Sequence, residues 1–112
     1  MTPEQEEQLS RAAAKGDEDA QHFLASYYLN KTASSENVRQ WQHWVDLGCT
    51  FAMLAAAHGR VTSVRLYANG LRAIVAGGDL KPESADTLKA LVGELEAAIA
   101  DRAPGDRVEV RL

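Results

Sequence analysis

Apolar residues recur every three or four positions through most of this sequence, the spacing that puts them on one face of an α-helix. The pattern is clearest after Pro82, where charged residues lie opposite one apolar stripe: Leu88, Leu91, Val92, Leu95, Ala98 and Ile99. Glycines and capping residues, among them Thr2 and Asp17, divide the rest. Together they predict about six helices, near residues 3–15, 18–29, 36–48, 50–57, 62–76 and 82–103. The sequence therefore predicts an all-α fold.

The last nine residues have a different pattern. Pro104 and Gly105 stop the final helix, and the segment from Arg107 to Leu112 alternates charged and apolar side chains as a β-strand does. A single strand has no partner in a helical chain. We therefore expect one helical domain at residues 1–103 and a C-terminal tail at residues 104–112, either exposed or added as a strand to another molecule.

Three glycines are expected to end one helix and precede the next. Gly16, Gly48 and Gly78 are separated by 32 and 30 residues, which is typical of repeated helical hairpins. Around the first glycine the sequence reads Ala12-Ala13-x-x-Gly16-Asp17-x-x-Ala20-Gln21-x-x-Leu24-Ala25-x-x-Tyr28. This stretch resembles the hairpin junction of Sel-one-like repeats, which are relatives of tetratricopeptide repeats. In that family two small residues end one helix, glycine turns the chain, and alanine, leucine and tyrosine line the next helix.

The second repeat unit is degenerate. Trp44 and Val45 precede Gly48 where the family has two small residues, and after Gly48 only Ala52 is well placed. The resemblance covers about residues 9–78. It implies antiparallel helical hairpins in a short right-handed array, with the helix after Pro82 as a terminal cap, and an interaction scaffold without catalysis of its own.

Composition and charge narrow the class of protein. The chain has 112 residues, of which 46% are hydrophobic and 25% charged, which suits one globular domain with a buried core. A net charge of −4 disfavours general binding to nucleic acids or anionic membranes. The first residues lack a basic stretch followed by an apolar run, and no long apolar segment occurs elsewhere. A cytoplasmic protein is expected.

The sequence contains few histidines and cysteines, the residue types that often act in catalysis or bind metals. His22, His43 and His58 fall on three different predicted helices without metal-ligand spacing, and Cys49 is a single cysteine without a catalytic signature. We therefore expect no catalytic residue, no cofactor and no metal. The alternative is a small ligand-binding or enzyme domain in which Cys49 and a histidine converge in a cleft.

The expected function is protein–protein interaction by a non-enzymatic module. Bacterial chains of this length with a degenerate version of this repeat serve as inhibitors, immunity proteins or adaptors, and an acidic domain suits a basic partner. Two repeats are few for a stable array, so either the helix after Pro82 completes the core or a second copy of the chain does, which makes a second copy a further candidate partner. Two surfaces are candidates for contact with a partner. One contains Phe23, Tyr27, Phe51 and His58, and the other contains Arg65, Asn69 and Arg72.

The second of these surfaces lies in a stretch without acidic residues. Residues 47–78 contain three arginines and no aspartate or glutamate. Arg65, Asn69 and Arg72 are four and then three residues apart, so a helix places them on one face. Because the guanidinium group suits carboxylates and phosphates, a partner that is acidic at Arg65 and Arg72 is expected there.

Overall fold

The computed structural model describes residues 1–112 and contains five α-helices, one short 3₁₀ turn and no β-sheet. The helices are α1 (Pro3–Ala14), α2 (Glu18–Lys31), α3 (Val38–Ala56), α4 (Val61–Ala76) and α5 (Pro82–Ile99), and the 3₁₀ turn at Thr32–Ser34 follows α2. None of these helices is both long and apolar enough to cross a lipid bilayer. The predicted all-α class is confirmed, but the number of helices is five rather than six.

Short polar side chains set the starts of the first three helices. Thr2 and Gln5 form a capping box at α1, and the Asp17 carboxylate accepts the backbone N–H of Ala20 at α2. At α3 the cap is Asn37, whose side chain accepts the N–H of Gln40. The chain turns sharply between α1 and α2 at Gly16, whose φ of +97° is a backbone conformation that glycine adopts without strain.

Gly48 does not end a helix, so the prediction of separate helices at 36–48 and 50–57 is wrong. The residue lies inside α3, and a Cβ atom placed on it would be 2.6 Å from the Cγ atom of Leu29. The missing side chain at Gly48 lets α2 and α3 approach closely. Because α3 continues through this position, Gly16 and Gly48 do not mark equivalent turns.

Each helix packs against the next helix in the chain, and α2 also contacts α4. The larger of two buried clusters joins α2, α3, α4 and α5, and its members are Ala25, Ala52, Ala56, Val61, Val64, Tyr67, Ala68, Leu71, Val92, Leu95 and Ile99. The smaller cluster joins α1 to α2 through Ala13, Ala20, Leu24 and Tyr28. The many alanines in both clusters let neighbouring helices pack closely.

The C-terminal segment, residues 104–112, folds back onto the helices. The N–H of Val108 donates to the carbonyl of Gly59 over 2.8 Å, and the N–H of Val61 donates to the carbonyl of Asp106 over 2.9 Å. These bonds form an isolated antiparallel bridge between Arg60 and Arg107. The expectation that this strand has no partner within the chain is therefore wrong, because the turn between α3 and α4 exposes backbone groups that pair with it.

Candidate functional site

The four residues of the first predicted contact surface, Phe23, Tyr27, Phe51 and His58, do not form one continuous surface in the structure. Phe23 is 50% exposed, whereas Tyr27 and Phe51 are half-buried. Phe51 packs against both buried clusters, so most of its ring serves the core. His58 is exposed, but its ring is bonded to Gln21 in a separate polar region. Of the four predicted residues, Phe23 offers the largest free apolar surface.

Phe23 borders an open groove between α1 and α2, which we call the N-terminal groove. Its volume is about 570 Å³, and its lining residues are Met1, Gln5, Gln8, Leu9 and Phe23. Ligand pockets typically have volumes of about 300–1,000 Å³. The α1 residues in this set share one side of the helix because they are three or four positions apart. The groove thus combines apolar side chains with two amide groups.

Two exposed acidic residues are close in sequence to residues that line the N-terminal groove. Asp19 is four residues before Phe23 on α2 and therefore lies on the same side of that helix, with 83% of its side chain exposed. Glu4 is exposed on α1, next to Gln5. Residues 1–31 contain six acidic and three basic side chains, which accounts for three of the four net negative charges of the chain. The electrostatic potential around this groove favours a basic ligand.

Tyr28 connects α2 to both α1 and α3. Its ring centroid lies 5.8 Å from that of Trp44 and 5.9 Å from that of Phe51, and both contacts are stacked. Trp44 and Phe51 are two helical turns apart on α3, so the tyrosine ring lies between them. Its hydroxyl donates a hydrogen bond to Glu6 of α1. Burial, followed by this bond to a carboxylate, raises the pKa of Tyr28, so the hydroxyl remains a donor at neutral pH.

An ion-pair network holds the C-terminal segment against the start of α2. The guanidinium of Arg107 donates to both carboxylate oxygens of Glu18 over 3.0 Å and also to the carbonyl of His58. Arg60 lies 3.4 Å from Glu18 and 3.0 Å from Asp19. The hydrogen bonds from Arg107, and then the charge of Arg60, lower the pKa of Glu18 against the opposing effect of burial.

Two histidines make hydrogen bonds near this network. The Nε2 atom of His58 is 3.0 Å from the Oε1 atom of Gln21, whose amide donates to the carbonyl of Ala13. The Nδ1 atom of His22 is 2.9 Å from the hydroxyl oxygen of Ser63. Burial, and then the charge of Arg60, lowers the pKa of His22. Because Ser63 is fully buried, a substrate has no access to its hydroxyl in this conformation.

Cys49 is part of the α3–α4 contact. It is 8% exposed, and its sulfur would lie 2.8 Å from a Cβ atom placed on Gly70. Burial raises the pKa of the thiol to about 11, which keeps it protonated at neutral pH and makes it a poor nucleophile. None of the three histidines hydrogen-bonds to it. No group of three His, Cys, Asp or Glu side chains converges in a way that could hold a metal ion.

The predicted arginine surface forms one side of a cleft between α4 and α5. Arg65, Asn69 and Arg72 are all exposed and line a volume of about 210 Å³. Two acidic residues, Glu96 and Asp101, line the same cleft, and Arg72 forms an ion pair with Glu96. The three predicted residues are therefore brought together, but acidic side chains from the end of α5 offset their positive charge.

Reasoning from the sequence did not predict the ion pairs and hydrogen bonds made by Glu18, Arg60, Arg107, Gln21 and Ser63. Glu18 and Arg107 are 89 residues apart, and charged residues of both signs occur throughout the chain, so no local pattern pairs them. The alternation of Arg107 to Leu112 was a usable signal for an extended segment, although not for the surface that it contacts.

No protein-family model, curated protein or solved structure matches this chain.

Proposed function

We propose that this chain is a non-enzymatic protein-interaction module, and that the N-terminal groove receives an apolar side chain of a basic partner protein. The observation that carries the proposal is the half-exposed ring of Phe23 beside Met1 and Leu9 in an open groove. Exposed aromatic residues in concave surfaces are typical of interface anchors. Glu4 supplies unpaired negative charge near it, and Asp19, which also contacts Arg60, adds to this charge. Negative charge favours lysine or arginine next to the inserted side chain.

The local packing supports the resemblance to a Sel-one-like hairpin junction. In that motif the small residues, leucine and tyrosine line the contact between two helices, and Ala13, Ala20, Leu24 and Tyr28 form the smaller buried cluster here. The glycine of the motif, Gly16, turns the chain with a positive φ. A right-handed array of helical hairpins with α5 as its cap remains part of this proposal, as does a role as an inhibitor, immunity or adaptor protein.

The arginine cleft is a second surface for the same function, directed to an acidic partner. Arg65 forms no ion pair, which leaves its guanidinium free to bind a carboxylate. Arg72, however, already contacts Glu96. An acidic partner must displace that contact, so the N-terminal groove is the stronger candidate.

Affinity capture with matched variants tests the proposal. Tagged wild-type chain, Phe23→Asp and Val38→Asp are incubated with extract of the source cells, and captured proteins are identified by mass spectrometry. Val38 is the control because it is a more exposed apolar residue that lies at the start of α3 and does not line the groove. We expect a basic protein to be captured by wild type and by Val38→Asp, to be lost with Phe23→Asp, and to bind less as salt increases.

The same experiment has outcomes that contradict the proposal. Equal capture by wild type and Phe23→Asp places the partner surface elsewhere. Loss with Phe23→Asp but retention with Arg65→Glu/Arg72→Glu favours the groove, whereas the reverse result assigns the contact to the arginine cleft. If no protein is captured specifically by the wild-type chain, the interaction function is rejected for this source.

A further inference from the structure

The C-terminal segment has one free backbone edge. Val108 and Val110 are half-buried against the larger cluster, whereas Glu109 and Arg111 are exposed, which is the alternation of an extended strand. The hydrogen bonds to Gly59 and Val61 involve Asp106 and Val108. Because backbone groups of successive strand residues point to opposite edges, those of Glu109 and Arg111 point away from α4.

These backbone groups have no partners within the chain. No backbone hydrogen bond involves residues 109–112, although the bonds at Val108 hold the preceding residues in place. Leu112, at the end of the segment, is 53% exposed. An ordered strand with an unpaired edge and an exposed apolar side chain is a template for a further strand.

We propose that residues 108–112 pair antiparallel with the same residues of a second copy of this chain, about a two-fold axis at Val110. In this register Glu109 lies opposite Arg111 of the second copy, and the symmetry repeats this pair. Val108 lies opposite Leu112 of the second copy. The charges of the segment are thus complementary to themselves, which identifies a second copy as the occupant.

The hydrogen-bonding pattern agrees with this register. Glu109 and Arg111 are the residues whose backbone groups point to the free edge, and the two-fold axis at Val110 pairs one with the other. Moving the axis by one residue, to Glu109, places Glu109 against itself and Arg107 against Arg111. That register joins like charges, and Arg107 is already held by Glu18.

The surface beside the strand suits the apolar side chains of a second strand. A cleft of about 250 Å³ lies between residues 109–111 and α5. The α5 side of this cleft contains Leu91, Leu95 and Ala98, together with the charged residue Glu94. Paired strands place opposing side chains on the same side of the sheet. The valines of both copies therefore lie on the helical side of the ribbon, and the glutamates and arginines lie on the outer side.

A charge exchange tests the proposal. The association of the full chain is measured by sedimentation equilibrium over a range of concentrations, for wild type, Glu109→Arg, Arg111→Glu and the variant with both changes. We expect wild type to form a species of twice the 12.2 kDa chain mass. Each single change places like charges opposite each other at two positions and weakens association by about fivefold to tenfold. The double variant restores opposite charges and should associate as wild type does.

Glu36→Arg is the matched control, because it has the same change of charge on an exposed residue outside the segment. It should associate as wild type does, as should Phe23→Asp, which affects only the proposed function. Circular dichroism checks that every variant remains helical. A wild-type chain that stays monomeric up to about 1 mM, the weak limit of specific association, overturns the proposal. So does a double variant that associates no better than the single ones.

Discussion

α1 and the C-terminal segment are both attached to α2, but by different interactions. Ala13 of α1 packs in the smaller apolar cluster with Leu24, and the Tyr28–Glu6 hydrogen bond supplements that packing. The C-terminal segment is held by three backbone hydrogen bonds and by the Glu18–Arg107 ion pair, while its valines lie only half-buried. Apolar attachment depends mainly on buried area, whereas the ionic attachment also depends on pH and salt.

The largest loss of stability is expected when the apolar contact between α1 and α2 is weakened. Leu24→Ala removes the largest fully buried side chain and leaves a cavity between α1 and α2, so we expect a loss of about 2–5 kcal/mol in the free energy of unfolding. Urea denaturation measures it. Leu91→Ala, at a half-buried position on α5, is the control and should cost less. A loss below about 0.5 kcal/mol for Leu24→Ala contradicts this account of the cluster.

Gly59→Ala should disturb the C-terminal segment more than Gly16→Ala disturbs α1. Both glycines have positive φ, so alanine introduces strain of about 1–2 kcal/mol at each. A Cβ atom on Gly59 would also lie 2.3 Å from the carbonyl oxygen of Val108, whereas one on Gly16 has no neighbour within 4 Å. Thermal denaturation of both variants measures the difference. Equal losses of stability would contradict the docked position of Val108.

Tyr28→Phe removes the hydrogen bond to Glu6 while keeping the stacked ring. We expect a loss of about 1 kcal/mol, together with faster amide hydrogen exchange in α1 than in α4. Tyr27→Phe is the control, because the hydroxyl of Tyr27 makes no hydrogen bond to another side chain. Equal exchange rates of α1 in the two variants would show that Tyr28 contributes to this attachment only through its ring.

The smallest effect is expected for Glu18→Gln. Arg107 lowers the pKa of Glu18 below its ordinary value of 4.5. The charged carboxylate therefore stabilises the folded chain fully above pH 4.5, and this stabilisation is lost as the pH falls through the lower pKa of the folded state. Since the pair is partly exposed, we expect a loss of about 0.2–1 kcal/mol at pH 7. Denaturation at several pH values and salt concentrations measures it, with Asp19→Asn as the control. A difference between wild type and Glu18→Gln that persists at pH 2 would contradict the ionic origin.

Local sequence patterns predicted the helices well, but they did not distinguish the roles of similar residues. The caps at Thr2 and Asp17 and the turn at Gly16 depend on neighbouring residues, and all three were predicted. Gly48 was assigned the same role as Gly16, although it serves the contact with Leu29. That contact joins two helices, and nothing in the residues next to Gly48 reveals it.

Local sequence patterns also did not reveal the contacts between helices at the candidate sites. Helical spacing was sufficient to place Arg65, Asn69 and Arg72 on one face, and the structure confirms that they line one cleft. The ion pair between Arg72 and Glu96 depends on how α4 packs against α5, so spacing within one helix did not predict it. Phe23, a predicted contact residue, is half exposed, and this exposure depends on the position of α1.

The contact between Glu18 and Arg107 also predicts an order of folding. Closing a loop of this length costs more chain entropy than forming contacts between adjacent helices, so the helix pairs form first and the segment docks last. During synthesis from the N-terminus, α2 and α4 are complete before Arg107 has been added to the chain. Before the segment docks, the N–H of Val61 and the carboxylate of Glu18 lack these partners, so we expect residues 104–112 to bind to helices that have already packed.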